Sequence, residues 1–422
     1  MSCRVDAGKG TILSTDSGDK DFSINNFGGE APKVVLMFPS EQDVDGRSND
    51  AKWGMGVLTD DAKYFMGGRM QNNVASSNTQ SIHTGTECLA AINSSSTAIA
   101  WSATGAATPM SADKFTLDIN NAPGSDKDFG YLAIGGSDVE VDVGSFSLET
   151  DAQQTISGLP FEPEALILMT VRMDENIEAT TNYSNDVRLS IGFSDGTTEF
   201  NSCMSSNHSS NPTLCWKTTR SDSILTAQAF SDGSPNGKAS LNSFTSDGFI
   251  LDHTDTWAGT YRVVYIALRG VNFKTGSTTH QTSTGNFDVT GVGFKGQALM
   301  MIQGGNMTAY DTVKADAVMF GGFATSASAR WTSGCTDDSG ITPSETQTVN
   351  DDDKCLVRYG AHSTTIIAEI DFVSWNSDGF TLDQVDSNNT THVIQYLVIG
   401  GVVDDEHAVC RGIRRGVMMG VL

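Results

Sequence analysis

Basic residues are scarce in this chain: 26 lysines and arginines stand against 51 aspartates and glutamates, a formal net charge of −25 over 422 residues. A nucleic-acid binder needs a basic footprint to displace counterions from phosphate, so that class is disfavoured. An acidic surface serves solubility and suits a particle-exposed protein, with specific cation binding as the alternative. No apolar run approaches the roughly 20 residues of a membrane-crossing helix. The start, Met1-Ser2-Cys3-Arg4-Val5-Asp6, lacks the apolar core of a secretory signal. Release by lysis, or as part of a particle, is therefore expected.

Catalytic signatures are missing as well. There is no His-Glu-x-x-His and no Gly-x-x-x-x-Gly-Lys phosphate loop. The histidines, at 83, 208, 253, 280, 362, 392 and 407, do not recur at one repeat position. With no paired carboxylates standing out from turn acids, neither enzyme activity nor a cofactor is expected. No long stretch has a 3.6-residue period, whereas 43 glycines and many Ser, Thr, Asn and Asp punctuate short apolar runs. That pattern reads as strands joined by turns, an all-β chain.

What is present is a repeat. Asp113-Lys114-Phe115-Thr116-Leu117-Asp118 is followed by Tyr131-Leu132-Ala133-Ile134-Gly135. The pair returns as Asp247-Gly248-Phe249-Ile250-Leu251-Asp252 with Tyr265-Ile266-Ala267-Leu268, and as Asp378-Gly379-Phe380-Thr381-Leu382-Asp383 with Tyr396-Leu397-Val398-Ile399. Phe and Tyr are 16 residues apart each time, and the copies lie 134 and 131 residues apart. Such a period is too long for a solenoid unit and suits a whole domain. The Phe strand alternates, as a half-buried antiparallel strand does; the Tyr strand is apolar throughout and should be covered on both faces. The leading Asp113, Asp247 and Asp378 read as turn residues.

Three further landmarks precede each pair: apolar strands after a Phe or Pro at Pro32–Met37, Phe161–Leu168 and Phe294–Met301; small-residue strands around Gly56, Gly192 and Gly322; and strands led by Cys88, Cys215 and Cys355. They predict three tandem homologous β-sandwiches, jelly-roll-like, packed side by side or in a row. The expected divisions are an N-terminal segment 1–9, repeats at 10–143, 144–275 and 276–402, and a basic, apolar C-terminal arm at 403–422. In that arm Arg411, Ile413, Arg414, Arg415 and Val417 are expected to dock on a neighbouring subunit, the alternative being a packed end of its own domain.

Among seven cysteines, Cys203 with Cys215 and Cys335 with Cys355 flank polar loops at matching places, which suggests a disulfide across each; small buried hydrophobes are the alternative. Zinc is not expected without a CxxC. Asp43-Val44-Asp45-Gly46-Arg47-Ser48-Asn49-Asp50 is loosely like a calcium loop without its closing Glu, and Asp351-Asp352-Asp353 offers a second acidic run; both read more simply as solvated turns. Trp257 and Trp331 are candidates to stack on a sugar.

Ile191-Gly192-Phe193-Ser194-Asp195-Gly196-Thr197-Thr198, with Ser246-Asp247-Gly248-Phe249 and Tyr265-Ile266-Ala267-Leu268, resembles a recurrent domain of tailed-bacteriophage virion proteins. The resemblance covers the second copy best, the third in its final half and the first only in its later motifs. It implies a virion component, a tail, fibre or appendage protein, that assembles with itself and with other virion proteins and presents loops to a host surface glycan. Capsid decoration and a carbohydrate-binding module are the alternatives.

Overall fold

The computed structural model describes residues 3–42, 44–93, 99–172, 181–360, 365–387 and 389–400. Among these the chain is all-β. The first repeat contributes β1 (Arg4–Ile12), β2 (Gly18–Ser23), β3 (Pro32–Pro39), β4 (Gly46–Asn49), β5 (Ala51–Leu58), β6 (Lys63–Met70), β7 (Thr79–Thr84), β8 (Leu89–Ile92), β9 (Ile99–Ser111), β10 (Lys114–Asn121) and β11 (Lys127–Gly135). A larger antiparallel sheet runs β1-β11-β3-β5-β6-β7, and a smaller one β2-β10-β9-β8. Eleven strands within 140–269 and eleven within 272–400 repeat both orders strand for strand.

The paired motifs sit between the two sheets. Phe115, Phe249 and Phe380 are each fully buried, and each meets its Tyr edge to face, with ring centroids 5.2, 5.7 and 5.3 Å apart for Tyr131, Tyr265 and Tyr396. Opposite each Tyr the edge strand carries a glycine, Gly8, Gly144 or Gly276, where a Cβ would run into the phenol ring. The ring thus takes the space that a side chain would fill.

Why the Tyr strands are apolar at every position follows from their second face. On β3, Val35 and Met37 enter the core of the first sandwich, whereas Val34, Leu36 and Phe38 enter a core shared by all three repeats. Ile167 and Met169 of the second repeat and Met300 and Ile302 of the third line that same core. Alternation along a strand sends neighbouring side chains to opposite faces, so a doubly apolar strand demands cover on both. The larger sheets supply it by packing against one another. Of the two expected arrangements, side by side or in a row, the row is corrected: the sandwiches pack side by side in a ring around a common core.

Strand exchange locks the ring. β4 leaves its own repeat and pairs with Thr346–Asp351 of the third; Thr181–Asn185 of the second pairs with β7; Thr312–Ala315 of the third pairs with Cys215–Arg220 of the second. Each larger sheet is thereby seven-stranded, its last strand borrowed.

The expected divisions shift. The cut at 9/10 falls inside β1, and those at 143/144 and 275/276 fall inside the strands Glu140–Ser147 and Asn272–Thr279. These edge strands are glycine- and polar-rich, so they carry no apolar signal. The cysteine landmark is also corrected. A Cβ on Gly56 or Gly322 would meet the carbonyl of Cys88 or Cys355, but on Gly192 that of Ile224. Backbone bonds Cys88 N–Ala103 O, Ile224 N–Ala239 O and Cys355 N–Ile370 O complete the match. Cys215 instead opens the strand before.

Candidate functional site

The features with chemistry of their own gather where the repeats join. Each exchanged strand is followed directly by an aspartate with positive φ: Asp50 (66°), Asp186 (76°) and Asp316 (74°). Asp is among the few residues that tolerate this region. Its carboxylate accepts a backbone N–H from the loop after the next hairpin, Asn72 at 2.7 Å, His208 at 2.7 Å and Ser339 at 3.1 Å. The corner turns the chain from its neighbour's sheet back into its own. Ser48-Asn49-Asp50 and Ser184-Asn185-Asp186 were the sequence signal for it, obscured in the third copy by Lys314-Ala315-Asp316.

The three loops so anchored then bond to one another. Asn73 N donates to Ser344 O and Ser344 N to Val74 O; Ser77 N donates to Ser210 O; Thr213 N donates to Ile341 O and Gly340 N to Thr213 O. Backbone groups of all three repeats are satisfied here by a neighbour. Beneath them Ser206 Oγ donates to the fully buried Asp337 carboxylate at 2.5 Å, and burial pushes that carboxyl up to about 6.

The two acidic runs come together at the joint of the first and third repeats. Carboxylate oxygens of Asp45, Asp351 and Asp352 lie within 4.8 Å of one another. Asp352 N donates to the Asp45 carboxylate at 3.0 Å. Burial, and Asp353 beside it, push Asp351 up to about 7. The arrangement has cation-ligand chemistry, but Lys9 already brings a cation, with Nζ 2.7 Å from Asp352 and 3.4 Å from Asp128. Asp43 lies outside the described residues.

The cysteines do not pair. Cys203 stands opposite Thr218, and Cys215 opposite Ser206. They are three positions apart along the ladder, about 10 Å, on opposite faces, whereas a bridge needs Cα atoms roughly 4.4–6.8 Å apart. Cys335 packs in the shared core and Cys355 in a sandwich core, with a sheet between them. All six described cysteines are free thiols, and burial pushes Cys203 up to about 12. They act as small apolar side chains.

The sugar-stacking tryptophans are corrected too: Trp257 is 3% exposed and Trp331 fully buried, its indole against Gly130 of the first repeat. Tertiary closure covers both rings. His83 is fully buried with neither ring nitrogen bonded to a described residue, and burial lowers it to about 4. A cleft of about 310 Å³ lies in the second repeat and is lined by Ser194, Thr197, Thr198, Glu199, Phe200 and Ser221. Burial pushes Glu199 up to about 7 while Leu241 N donates to it at 2.7 Å. The expected arm residues Arg411, Ile413, Arg414, Arg415 and Val417, and Cys410, lie outside the described residues.

No protein-family model and no curated protein matches the chain. Among solved structures, a fructofuranosidase from Schwanniomyces occidentalis complexed with fructose aligns over 92% of this chain and 97% of its own at 7% identity and a TM-score of 0.14, and a complex of the same organism's β-fructofuranosidase with fructosyl-erythritol aligns over 93% and 97%, also at 7% and 0.14. Likeness at that level carries no argument about fold or activity.

Proposed function

We propose that this chain is a non-enzymatic structural protein of a tailed-bacteriophage virion, a tail, fibre or appendage component that presents its loops to a host surface or to neighbouring subunits. The observation that carries the reading is the strand-exchanged ring. One chain builds the threefold body that a trimer would otherwise assemble from three, with backbone ladders and one apolar core spanning all repeats. Mutual dependence of that kind makes a rigid block whose outer loops can vary without disturbing the core. The virion-domain resemblance of the second copy agrees with it. Further self-association and contacts with other virion proteins would use the outer surface and the basic segment 403–422, in keeping with an acidic body.

Immunogold labelling of purified particles tests the proposal. Label at the tail supports an appendage role, and label over the head supports capsid decoration instead. A protein found only in the lysate and never on particles overturns both.

A further inference from the structure

At the joint between the second and third repeats, positive charge exceeds the acid that pairs with it. Lys217 and Lys314 face each other directly across the exchanged strand, an arrangement that like charges ordinarily disfavour. Lys217 is 1% exposed; its Nζ donates to Ala315 O at 2.6 Å and lies 3.4 Å from the Asp316 carboxylate. Lys314 donates to Asn306 O at 2.6 Å. A third cation, Arg358, is 5% exposed; its Nη1 bonds His392 Nδ1 at 2.6 Å and its Nε has no partner among the described residues. Because the guanidinium can only donate, His392 accepts through Nδ1 and is neutral. Among the described residues, Asp316 is the one carboxylate within ion-pair distance of these three cations.

The other two joints lack the cluster. Where Lys217 pairs with Lys314, the matching positions hold Ser81 with Ser184 and Thr348 with Ser48. Counting from Cys88, Ile224 and Cys355, the position of Arg358 is Ala91 in the first repeat and Ala227 in the second. The fold is therefore built twice with neutral residues at these places, so strand exchange does not require the charges. Three cations against one carboxylate leave an excess of positive charge, which burial disfavours unless an anion joins it.

We propose that Arg358, Lys217 and Lys314 form a binding site for one small tetrahedral oxyanion, inorganic phosphate or sulfate. Donors arrive from three strands: the Arg358 guanidinium from Leu356–Tyr359, and the two ammoniums from Cys215–Arg220 and Thr312–Ala315. Several oxygens on a compact centre match such convergent donors, and a doubly charged anion balances the excess. Burial lowers the proton affinity of all three, Lys217 to about 8 and Arg358 to about 10, and the charge of Arg358 adds a smaller lowering at both lysines, which an anion would oppose. The burial of Arg358 and Lys217 excludes a polymeric ligand, while half-exposed Lys314 leaves the approach. The site stands independently of the virion reading.

Calorimetric titration of the full chain in phosphate-free buffer tests this, with phosphate, sulfate, acetate and chloride compared at one ionic strength. Phosphate or sulfate should bind saturably with about one site per chain and raise Tm, and chloride should do neither. Lys217→Ser with Lys314→Ser copies the neutral joints, should keep the strand content of the parent by circular dichroism, and should weaken the anion at least tenfold. Arg358→Ala, the residue of the other repeats, should do the same. No saturable phosphate or sulfate binding to the parent chain, binding no better than acetate, or a double variant that folds and binds undiminished overturns the proposal.

Discussion

Phe38 of the first repeat lies flat against Phe323 of the third, with ring centroids 4.4 Å apart and planes 3° from parallel. Trp53 packs beside Phe38 at 5.3 Å and sends its indole N–H to Ser333 Oγ of the third repeat at 3.0 Å. Neither repeat owns this part of the core. Phe38→Ala should therefore cost about 3–5 kcal/mol, and the loss should lower a single transition of the whole chain in scanning calorimetry. Three separate transitions, only one of them shifted, would mean that the repeats unfold independently.

An isolated second repeat, residues 140–269, should not behave as a stable monomer. Cut free, it exposes Ile167, Met169, Leu189 and Phe193, which pack in the shared core, and its strand Thr181–Asn185 loses β7. Exposed apolar faces and unpaired edges drive association. Light scattering should find trimers or aggregates; a well-folded monomer by NMR argues against the common core.

Asp186 can be tested by a graded series. Asp186→Ala forces a Cβ residue without a polar side chain into positive φ and removes the acceptor for His208 N. It should cost about 1–3 kcal/mol. Asp186→Asn keeps both the acceptor and the tolerance of positive φ and should cost well under half of that in urea unfolding. Equal costs would separate the corner from its backbone geometry.

Gly276→Ala should destabilise more than its change of one methyl suggests, because the new Cβ meets the Tyr396 ring. Overpacking of this kind costs about 1–3 kcal/mol. Adding Tyr396→Phe should not rescue it, since the clash involves ring carbons as well as the hydroxyl. Leucine-like tolerance at Gly276, measured by Tm, would show that the edge strand moves freely.

The buried Asp337 gives a pH dependence of definite sign. Its folded-state value, raised to about 6 from an ordinary 3.8, means that the folded chain holds this proton more tightly than the unfolded one. Its contribution is most favourable below about pH 4, declines as pH rises through about 6, and is fully lost above. Asp337→Asn should leave stability near pH 4 little changed and raise it at pH 7.5 by on the order of 2–3 kcal/mol. A gain at pH 4 that vanishes at pH 7.5 would reverse the assignment.

Much of each sheet could be read from residues alone. Alternation placed Phe249 and Leu251 inward, and the uninterrupted apolar run at Tyr265–Leu268 required cover on both faces. Both conclusions follow from the two-residue period of a strand and need only local sequence. The same reasoning misassigned Cys215, because a cysteine before an apolar residue marks no unique place in a sheet. The carbonyl of Ile224 over Gly192 fixes that alignment instead, and it is a contact between distant strands. The Lys217–Lys314–Arg358 site was invisible for a similar reason. Its members are far apart in sequence, and two of them belong to polar stretches that read as ordinary surface.

Composition, period and strand alternation by themselves determined an all-β chain of three related units with Phe and Tyr at the heart of each, because side-chain direction along a strand is a local property. What covers the second face of each large sheet was left to tertiary structure. Strand exchange, the shared core from Val5 to Ile399 and the burial of Trp331 depend on which repeat meets which. That choice rests on steric fit, as where Gly130 leaves room for an indole, and on the φ of single aspartates at the corners. The fit is written into no local pattern, and the corners show only as Ser-Asn-Asp at two of the three.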